Sequence, residues 1–248
     1  KLFGGRMRLF AIGGAKFDAE AERFLLEAGF PYGIGYGLTE TAPLIAGAVG
    51  NMVRVGSTGP SLPAVKIRLD NINPETQQGE IVVLTPCCMK GYYKNEEATN
   101  ATFTEDGWLR TGDLGFIDKD GWIFIKGRLK NMIVGPSGEN IYPEDIEEVI
   151  NSNKLVAESV VTEEDGKLIA LVHFDTAALE EAYDEFKYRM SVSKEQLQLK
   201  MEEIQRDLMN YVNSKVNRFS KISKVIDNEG EFEKTPTKKI RRFKYDRS

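Results

Sequence analysis

Residues 7–41 read MRLFAIGGAKFDAEAERFLLEAGFPYGIGYGLTET, and this stretch decides the class of fold. Its opening run, Met7–Ile12, predicts a short buried strand that ends at the glycine pair Gly13–Gly14. Residues 17–28 place apolar side chains at helical spacing, while Tyr32–Gly37 predicts a second strand. The predicted apolar face of the helix consists of Phe17, Ala21, Phe24, Leu25 and Ala28. A strand, a helix and a second strand in this order are typical of an α/β sheet.

The region from Gly56 to Gly127 has a different pattern, with short apolar runs between turn residues. Asn73–Pro74, Asp106–Gly107 and Asp120–Gly121 are typical hairpin or loop dipeptides. This spacing predicts a small antiparallel β-barrel or sheet. Its predicted strands are Val65–Asp70, Gly79–Leu84, Leu114–Asp118 and Trp122–Lys126, and a short helix is predicted over Asn95–Phe103.

A third region follows, with strands and helices mixed. Pro143 at an opening turn predicts a helix over Pro143–Asn151, and a charged helical stretch is predicted over residues 176–216 with a break near Ser191–Ser193. The predicted strands are Asn131–Val134, Ala157–Glu163, Lys167–Phe174 and Ile222–Asp227. The fold class is therefore α/β plus β. Three regions are predicted: 1–55, the end of a large α/β domain; 56–127, the barrel; and 128–248, a small mobile α+β domain.

Composition and charge limit the classes of protein to which the chain can belong. The 248 residues are 41% hydrophobic and 29% charged, as in an ordinary globular protein, and the net charge of −5 argues against a nucleic-acid partner. The adjacent pair Cys87–Cys88 cannot join distant segments, so we expect reduced thiols and a cytoplasmic protein. From Lys234 onward the chain is basic. Such a run is either a solvated tail or a surface for peripheral contact with an anionic membrane.

Residues 35–41, GYGLTET, form the first of four segments with chemical potential. Glycines let the backbone approach a ligand closely, and Tyr36 offers a flat face to a nucleobase. Thr39 offers a hydroxyl to a phosphate, and Glu40 offers a hard oxygen to Mg²⁺. The alternative is a glycine-rich turn with a helix-capping threonine.

The other three segments also offer groups that suit a nucleotide. Residues 108–114 carry Asp113, which can accept both ribose hydroxyls or be a simple hairpin aspartate. The segment from Gly127 carries Arg128, whose guanidinium can bind nucleotide oxygens, and Gly138, which leaves space for a thin ligand. Residues 235–242, TPTKKIRR, carry Lys239, an ammonium that can neutralise charge on a transferring phosphorus centre.

In this order, the four segments resemble the adenylate-forming superfamily of AMP-dependent acyl-CoA synthetases. The resemblance runs from about Arg6 to Arg242 and includes Gly79–Ile81 and Gly91–Tyr93. Within the superfamily, the motifs are most similar to those of bacterial long-chain fatty acid–CoA ligases. This resemblance implies a reaction in which fatty acid, ATP and CoA give acyl-CoA, AMP and pyrophosphate through an acyl-AMP, with Mg²⁺ as the cofactor.

The resemblance also implies roles for individual residues. Thr39 would touch the α-phosphate, Glu40 would hold Mg²⁺, and Lys239 would be the lysine of the adenylation step. Gly138 would lie by the CoA path, and Lys130 would be the hinge about which the small domain rotates. The implied nucleotide-binding residues are Gly13, Gly14, Ala15, Tyr36, Gly37, Asp113 and Arg128.

The sequence departs from the family pattern at three places. Lys238 stands where the family often has glycine, and Asn140 replaces an arginine found in some relatives. The family's Ser/Thr/Gly-rich phosphate loop has no match here, and the chain opens at Lys1 without a methionine. We therefore expect a portion cut from a longer enzyme, inactive by itself.

Several alternatives stay open at this point. The parent enzyme is a long-chain ligase, a fatty acyl-AMP ligase, or an aryl- or medium-chain acyl-CoA synthetase. The isolated chain is alternatively a non-catalytic nucleotide-binding fragment. Its partners are expected to be the acid, ATP and CoA, and an oligomer is compatible with the sequence.

Overall fold

The computed structural model describes residues 5–188, 191–236 and 238–247. The chain divides into two compact units, Lys1–Lys130 and Asn131–Ser248. The division falls beside Lys130, and the movement predicted about that residue stays a prediction.

The first unit begins with a three-stranded sheet. Strands β1 (Phe10–Gly13) and β2 (Tyr32–Tyr36) are parallel, and α1 (Ala19–Glu27) connects them, which confirms the predicted strand–helix–strand order. Strand β3 (Ala46–Val49) pairs antiparallel with β2 and was not predicted. The Asp18 side chain accepts the Ala21 N–H at 2.7 Å, so it caps the first turn of α1 and fixes where the helix starts.

The predicted apolar face of α1 is wrong. Phe24 is 69% exposed, and the fully buried side chain of this helix is Glu22. Its carboxylate accepts the Gly56 N–H at 2.7 Å and the Tyr32 hydroxyl at 3.4 Å. Burial raises the pKa of Glu22, and these two donors partly offset the cost of removing the carboxylate from water.

A four-stranded antiparallel sheet forms the rest of the first unit. Its strands lie in the order β4 (Lys66–Asp70), β5 (Gly79–Leu84), β6 (Leu109–Ile117) and β7 (Ile123–Arg128). The short helix α2 (Glu96–Thr102) lies between β5 and β6 and is capped by the Asn95 side chain. The apolar core beneath the sheet contains Tyr36, Ile45, Ala46, Ile81, Val83, Leu109 and Ile123.

The predicted closed barrel is not found among the described residues, where these four strands form an open sheet. At Ile123, the first residue of β7, the backbone pairs with Thr58 and Gly59 at 2.9 and 3.2 Å. The same segment continues to Leu62, whose N–H donates to the Ile45 carbonyl. The hydrogen-bonding groups of Ile123 are therefore paired with a loop segment rather than with β4.

The second unit is an α+β arrangement. Its elements are the hairpin strands β8 (Ile133–Val134) and β9 (Asn140–Ile141), α3 (Pro143–Asn151), β10 (Val156–Glu164), β11 (Lys167–Phe174), α4 (Thr176–Ala182), α5 (Asp184–Lys187), α6 (Lys194–Lys215) and β12 (Lys224–Asp227). Strand β11 is central, antiparallel to β10 and parallel to β12. The bounds of α3 and β11 match the prediction, and Ser193 caps α6 where the helical break was predicted.

Candidate functional site

The predicted site glycines Gly13, Gly14 and Gly37 lie at the carboxyl ends of β1 and β2, the edge at which parallel sheets bind ligands. Gly13 pairs with Gly35 across the two strands, and a Cβ at Gly13 would lie 2.9 Å from the Gly35 carbonyl oxygen. Gly14 follows with a left-handed φ of +86° and open space around it, and Ala15 beside it is exposed. The predicted Gly13–Ala15 segment therefore borders open space next to the end of β2.

Gly37 is required by the close approach of two backbone segments. A Cβ on this residue would lie 1.7 Å from the Pro43 carbonyl oxygen, so any side chain would force the two segments apart. This packing brings the chain after β2 back against itself. It thereby fixes the position of Tyr36, the last residue of β2.

Tyr36, Asp113 and Arg128 form a hydrogen-bonded cluster that joins the two sheets of the first unit. The Tyr36 hydroxyl donates to Asp113 Oδ2 at 2.7 Å, and Arg128 Nε lies 2.9 Å from Asp113 Oδ1. Asp113 on β6 is directly opposite Arg128 on β7 in the strand register. Tyr36 and Asp113 are 8% and 5% exposed, while the Arg128 side chain keeps 37% of its surface in solvent. The cluster is thus a buried carboxylate with one open, cationic side.

Thr111 supports this cluster and was not assigned a role from the sequence. Its hydroxyl donates to the Ile81 carbonyl at 2.7 Å and accepts the Asp113 N–H at 3.1 Å. Its carbonyl accepts from an Arg128 guanidinium nitrogen at 3.0 Å. The sequence did indicate this position, because Thr111 lies two residues before Asp113 in the segment 108–114, which was already selected as suited to a nucleotide.

The electrostatics of the cluster keep Tyr36 protonated. Burial, followed by the negative charge of Asp113, raises the pKa of Tyr36 well above its ordinary value. The phenol therefore remains a hydrogen-bond donor across the physiological range. Stacking of its ring on adenine stays a prediction.

Thr39 and Glu40 lie in a short 3-10 turn, Thr39–Thr41, directly after Gly37–Leu38. Thr39 is exposed, and Glu40 is half-buried. Glu40 Oε1 accepts the Tyr92 hydroxyl at 2.9 Å, and the Glu40 carbonyl accepts the Met89 N–H at 2.7 Å. Tyr92 is a second partner that the sequence reasoning did not assign, although its Gly91–Tyr93 segment was part of the resemblance.

The residues around Glu40 fit a magnesium ion only when that ion is shared with a substrate. In the described part of the chain, no group of three or more His, Cys, Asp or Glu side chains could hold a metal by itself. Mg²⁺ commonly takes one or two protein carboxylates together with substrate phosphates and water. Glu40 supplies one such carboxylate, held in place by Tyr92.

Lys130 and Gly138 lie on either side of the start of the second unit. Lys130 is exposed in the 3-10 turn Leu129–Asn131, at the division between the units. Gly138 has a left-handed φ of +83° in the turn between β8 and β9, and a Cβ added there would meet nothing within 4 Å. The structure therefore shows open space at the position a side chain of residue 138 would take, and the CoA path beside Gly138 stays a prediction.

Lys239 belongs to the second unit and lies in a closed turn. The Thr235 N–H donates to the Lys239 carbonyl at 2.8 Å, and the Lys239 N–H donates to the Thr235 hydroxyl at 3.1 Å. Lys238 within this turn has a left-handed φ of +61°, which explains why glycine suits its position. The Lys239 side chain is exposed, and no ion pair to it occurs among the described residues.

The basic tail is not a free run of cations. Arg241 and Lys244 both pair with Glu233, Arg242 pairs with Glu147, and Arg247 pairs with Glu164. Much of the positive charge that a membrane contact would use is therefore matched inside the second unit. No helix in the described ranges combines the length and apolar character needed to cross a bilayer.

Comparison with known proteins supports the coarser part of the resemblance, the class of adenylate-forming CoA ligases. The AMP-binding enzyme family matches residues 1–93. The chain is 35% identical over 178 residues to the long-chain-fatty-acid–CoA ligase FadD15 of Mycobacterium bovis, covering 71% of this chain and 28% of that ligase. It is 37% identical over 160 residues to the 2-succinylbenzoate–CoA ligase of Bacillus cytotoxicus, covering 62% of this chain and 33% of that ligase.

Solved structures of related enzymes have the same fold over nearly the whole chain. The o-succinylbenzoate CoA synthetase of Bacillus subtilis, in complex with the acyl-adenylate intermediate, superimposes with a TM-score of 0.77 and 27% identity. That match covers 96% of this chain and 46% of the synthetase. Another structure of the same synthetase contains ATP and a magnesium ion, and its TM-score is 0.76 over 95% of this chain.

The fold and these matches together identify an adenylate-forming type of protein. By sequence, residues 1–93 are assigned to the AMP-binding enzyme family, and the relatives named above are CoA ligases. The chain spans about a third or less of the length of those curated relatives.

Proposed function

We propose that this chain is the C-terminal portion of a long-chain fatty acid–CoA ligase. The enzyme would join a fatty acid to CoA at the expense of ATP, through an acyl-AMP, and release AMP and pyrophosphate. The observation that carries the proposal is the buried Asp113 carboxylate, which Tyr36 and Arg128 hold from two sides.

Asp113 would bind the two ribose hydroxyls of the nucleotide. Each carboxylate oxygen can accept more than one hydrogen bond, so the bonds from Tyr36 and Arg128 leave acceptor capacity for a ribose. Those two donors also fix the carboxylate orientation before the ligand arrives, which reduces the ordering cost of binding. Arg128, the partly exposed member of the cluster, would contribute donors to nucleotide oxygens.

Thr39 and Glu40 would act at the phosphates. Thr39 is exposed and can donate its hydroxyl to the α-phosphate, while Glu40 would hold a magnesium ion together with phosphate oxygens. That ion, when bound, supplies positive charge that lets two anions approach each other. Tyr92 restrains Glu40 by its hydrogen bond.

Lys239 would stabilise the charge that develops when the carboxylate attacks the α-phosphorus. Its exposed ammonium acts electrostatically, without accepting a proton. The thioester step would follow at a CoA path beside Gly138, after a rotation about Lys130. We base these last assignments on the family pattern.

The acid is the least constrained part of the proposal. One relative is named for long-chain fatty acids and another for 2-succinylbenzoate, at 35% and 37% identity. An aryl-CoA ligase is therefore the second candidate function. A fatty acyl-AMP ligase would share the adenylation residues and omit the CoA step.

Two experiments test the proposal. Calorimetry of the 248-residue chain should show weaker binding of 2′,3′-dideoxy-AMP than of AMP, because the former lacks both ribose hydroxyls; equal heats would remove the role of Asp113. The protein expressed from its complete reading frame should then release pyrophosphate with fatty acids of increasing length and with 2-succinylbenzoate. A preference for long chains with CoA consumption supports the proposal, whereas preference for the aryl acid, or release without CoA consumption, selects one of the alternatives.

A further inference from the structure

The turn that carries Lys239 is internally closed but short. Its own bonds run between Thr235 and Lys239, and an isolated antiparallel bridge joins Lys234 to Ile240. These bonds fix the shape of the turn. They do not fix its orientation relative to the sheet of the second unit, so contacts outside the turn must do so.

Arg242, three residues after Lys239, connects this segment to the interior of the unit. One guanidinium nitrogen pairs with Glu147 Oε2 on α3, and another donates to the Val161 carbonyl on β10 at 3.4 Å. The side chain of Arg242 is 23% exposed, so most of it is covered. A single side chain thus connects the Lys239 segment to a helix and to a strand.

Glu147 completes the connection from the other side. Its Oε1 accepts the Val161 N–H at 2.6 Å, so the two carboxylate oxygens bind β10 and Arg242 separately. Glu147 is buried, with 8% of its surface exposed. A carboxyl group buried on an apolar helix face requires polar partners, and the partners here are the strand backbone and the Lys239 segment.

The other ion pairs of the tail differ in exposure. Arg241 and Glu233 are 38% and 45% exposed, and Arg247 and Glu164 are 41% and 35% exposed. Exposed pairs of this kind contribute little to holding a segment, because water and salt screen them. Lys234, at the start of the turn, pairs with Glu158 on β10 at 2.7 Å, with 27% and 28% exposure. Arg242–Glu147, with 23% and 11% exposure, is therefore the more buried of the two polar anchors of the segment, and both act beside the apolar packing of Ile240 on the sheet.

We propose that Glu147 and Arg242 are positioning residues that hold the Lys239 turn in place for the adenylation step. This inference rests on the proposed function, since it assumes that Lys239 acts on the transferring phosphorus. A lysine has a long flexible stem, so its backbone must be well placed for the ammonium to reach a defined point. A displacement of about 1 Å from a productive geometry can cost on the order of 100-fold in rate.

Hydrogen exchange of the 248-residue chain tests the anchor directly. In Glu147→Gln, amides of residues 235–245 should exchange about 10-fold faster, while amides of β11 keep their wild-type protection. Arg247→Ala is the matched control, because it removes an exposed arginine pair from the same tail. Unchanged exchange at 235–245 in Glu147→Gln, or equal acceleration in the control, would overturn the anchor.

Kinetics of the protein from its complete reading frame test the consequence for the reaction. Arg242→Ala should slow acid-dependent ATP–pyrophosphate exchange by about 10-fold to 100-fold through kcat, with KM for ATP nearly unchanged. Arg242→Lys should restore part of the rate, and thioester formation from supplied acyl-AMP should be unaffected by either change. Loss of both half-reactions together, or no loss in the first, would contradict a positioning role.

Lys239→Ala separates this inference from the proposed function. If Lys239→Ala abolishes the exchange reaction and Arg242→Ala does not slow it, the positioning role fails and the proposed function stands. If Lys239→Ala leaves the exchange reaction intact, the proposed role of Lys239 fails, and the positioning role fails with it.

Discussion

Replacing Asp113 by asparagine tests the buried cluster and the ribose assignment in one variant. The amide has nearly the shape of the carboxylate but carries no charge, and one of its two end groups is an NH₂. Tyr36 and Arg128 both donate to Asp113 at 2.7 and 2.9 Å, so one of these donors would face another donor. The variant therefore loses one charge-assisted hydrogen bond and weakens the second.

The size of the effect follows from the exposure of the partners. A hydrogen bond to a charged group contributes about 1.5–3 kcal/mol. Arg128 is 37% exposed, so water compensates part of its lost partner. We expect Asp113→Asn to lower the free energy of unfolding of the first unit by about 2 kcal/mol. With a urea dependence of about 2 kcal/mol per molar, the midpoint falls by about 1 M.

The assay uses the fluorescence of Trp108 and Trp122, the two tryptophans of the chain, which both lie in the first unit. Asp120→Asn is the matched control, because Asp120 is 48% exposed and pairs with Arg54 at 3.1 Å. The control should change the free energy of unfolding by less than about 1 kcal/mol. Equal midpoints for the two variants would refute the energetic importance of the cluster.

The same variant should bind AMP about 10-fold to 100-fold more weakly by calorimetry, at a temperature where it remains folded. The loss arises because an amide offers fewer acceptor sites to the ribose hydroxyls. Wild-type affinity in a folded Asp113→Asn variant would refute the ribose assignment while leaving the structural role of the cluster intact.

Three further variants have distinct expected outcomes. Gly37→Ala should lower the free energy of unfolding of the first unit by about 3 kcal/mol, because the new Cβ would lie 1.7 Å from the Pro43 carbonyl oxygen; the urea assay measures it. Burial raises the pKa of Glu147 from 4.5 to about 7, so the folded chain binds this proton more tightly than the unfolded chain. The resulting stabilisation is present below about pH 4.5 and is lost as pH rises through about 7, by about 3 kcal/mol, and Glu147→Gln should flatten this dependence in denaturation followed by circular dichroism. Lys238→Gly should stabilise the second unit by about 0.5 kcal/mol, because relief of the left-handed backbone exceeds the added freedom of the unfolded chain.

Each of these expectations can fail in a defined way. An alanine at position 37 with wild-type stability would mean that the backbone approach is not tight. A pH dependence retained in Glu147→Gln would assign the titration to another group. For the glycine variant, Lys221→Gly in an exposed loop of the same unit is the control and should be destabilising; equal effects at 221 and 238 would exclude backbone strain at Lys238.

Some elements could be predicted from the residues within them alone. Helix α3 has the predicted bounds, and Pro143 marks its first turn. Ile146 and Ile150 lie four residues apart, so they share one face of the helix. Both isoleucines are buried at 1% exposure or less. The information needed for this helix is contained within its own nine residues.

Other features depend on partners distant in the sequence. The buried face of α1 centres on Glu22 because donors come from Tyr32 and from Gly56, and no pattern within the helix indicates them. The barrel was predicted from the spacing of the strands. In the structure, the start of β7 at Ile123 pairs with the loop segment at Thr58 and not with another strand of the sheet. Spacing identifies strands and does not identify their neighbours.

The candidate site also combines features that a local segment indicates with features that depend on distant residues. The residue types at Tyr36, Asp113 and Arg128 were identified from short segments, each of which suits a nucleotide. The hydroxyl of Tyr36 meets Asp113 across 77 residues of chain, so their hydrogen bond could not be read from either segment. The supporting bonds of Thr111, in contrast, are local to Asp113 on one side and were open to prediction.

The long separation between Tyr36 and Asp113 also bears on the order in which the first unit is completed. During synthesis, β2 emerges well before β6, so the Tyr36 hydroxyl has no carboxylate acceptor at this cluster until Asp113 and Arg128 have left the ribosome. Contacts of such high sequence separation form only after the intervening loop has closed. If AMP binds at this cluster, its binding would therefore require the complete first unit. AMP would then not stabilise a chain that is still being synthesised and lacks β6.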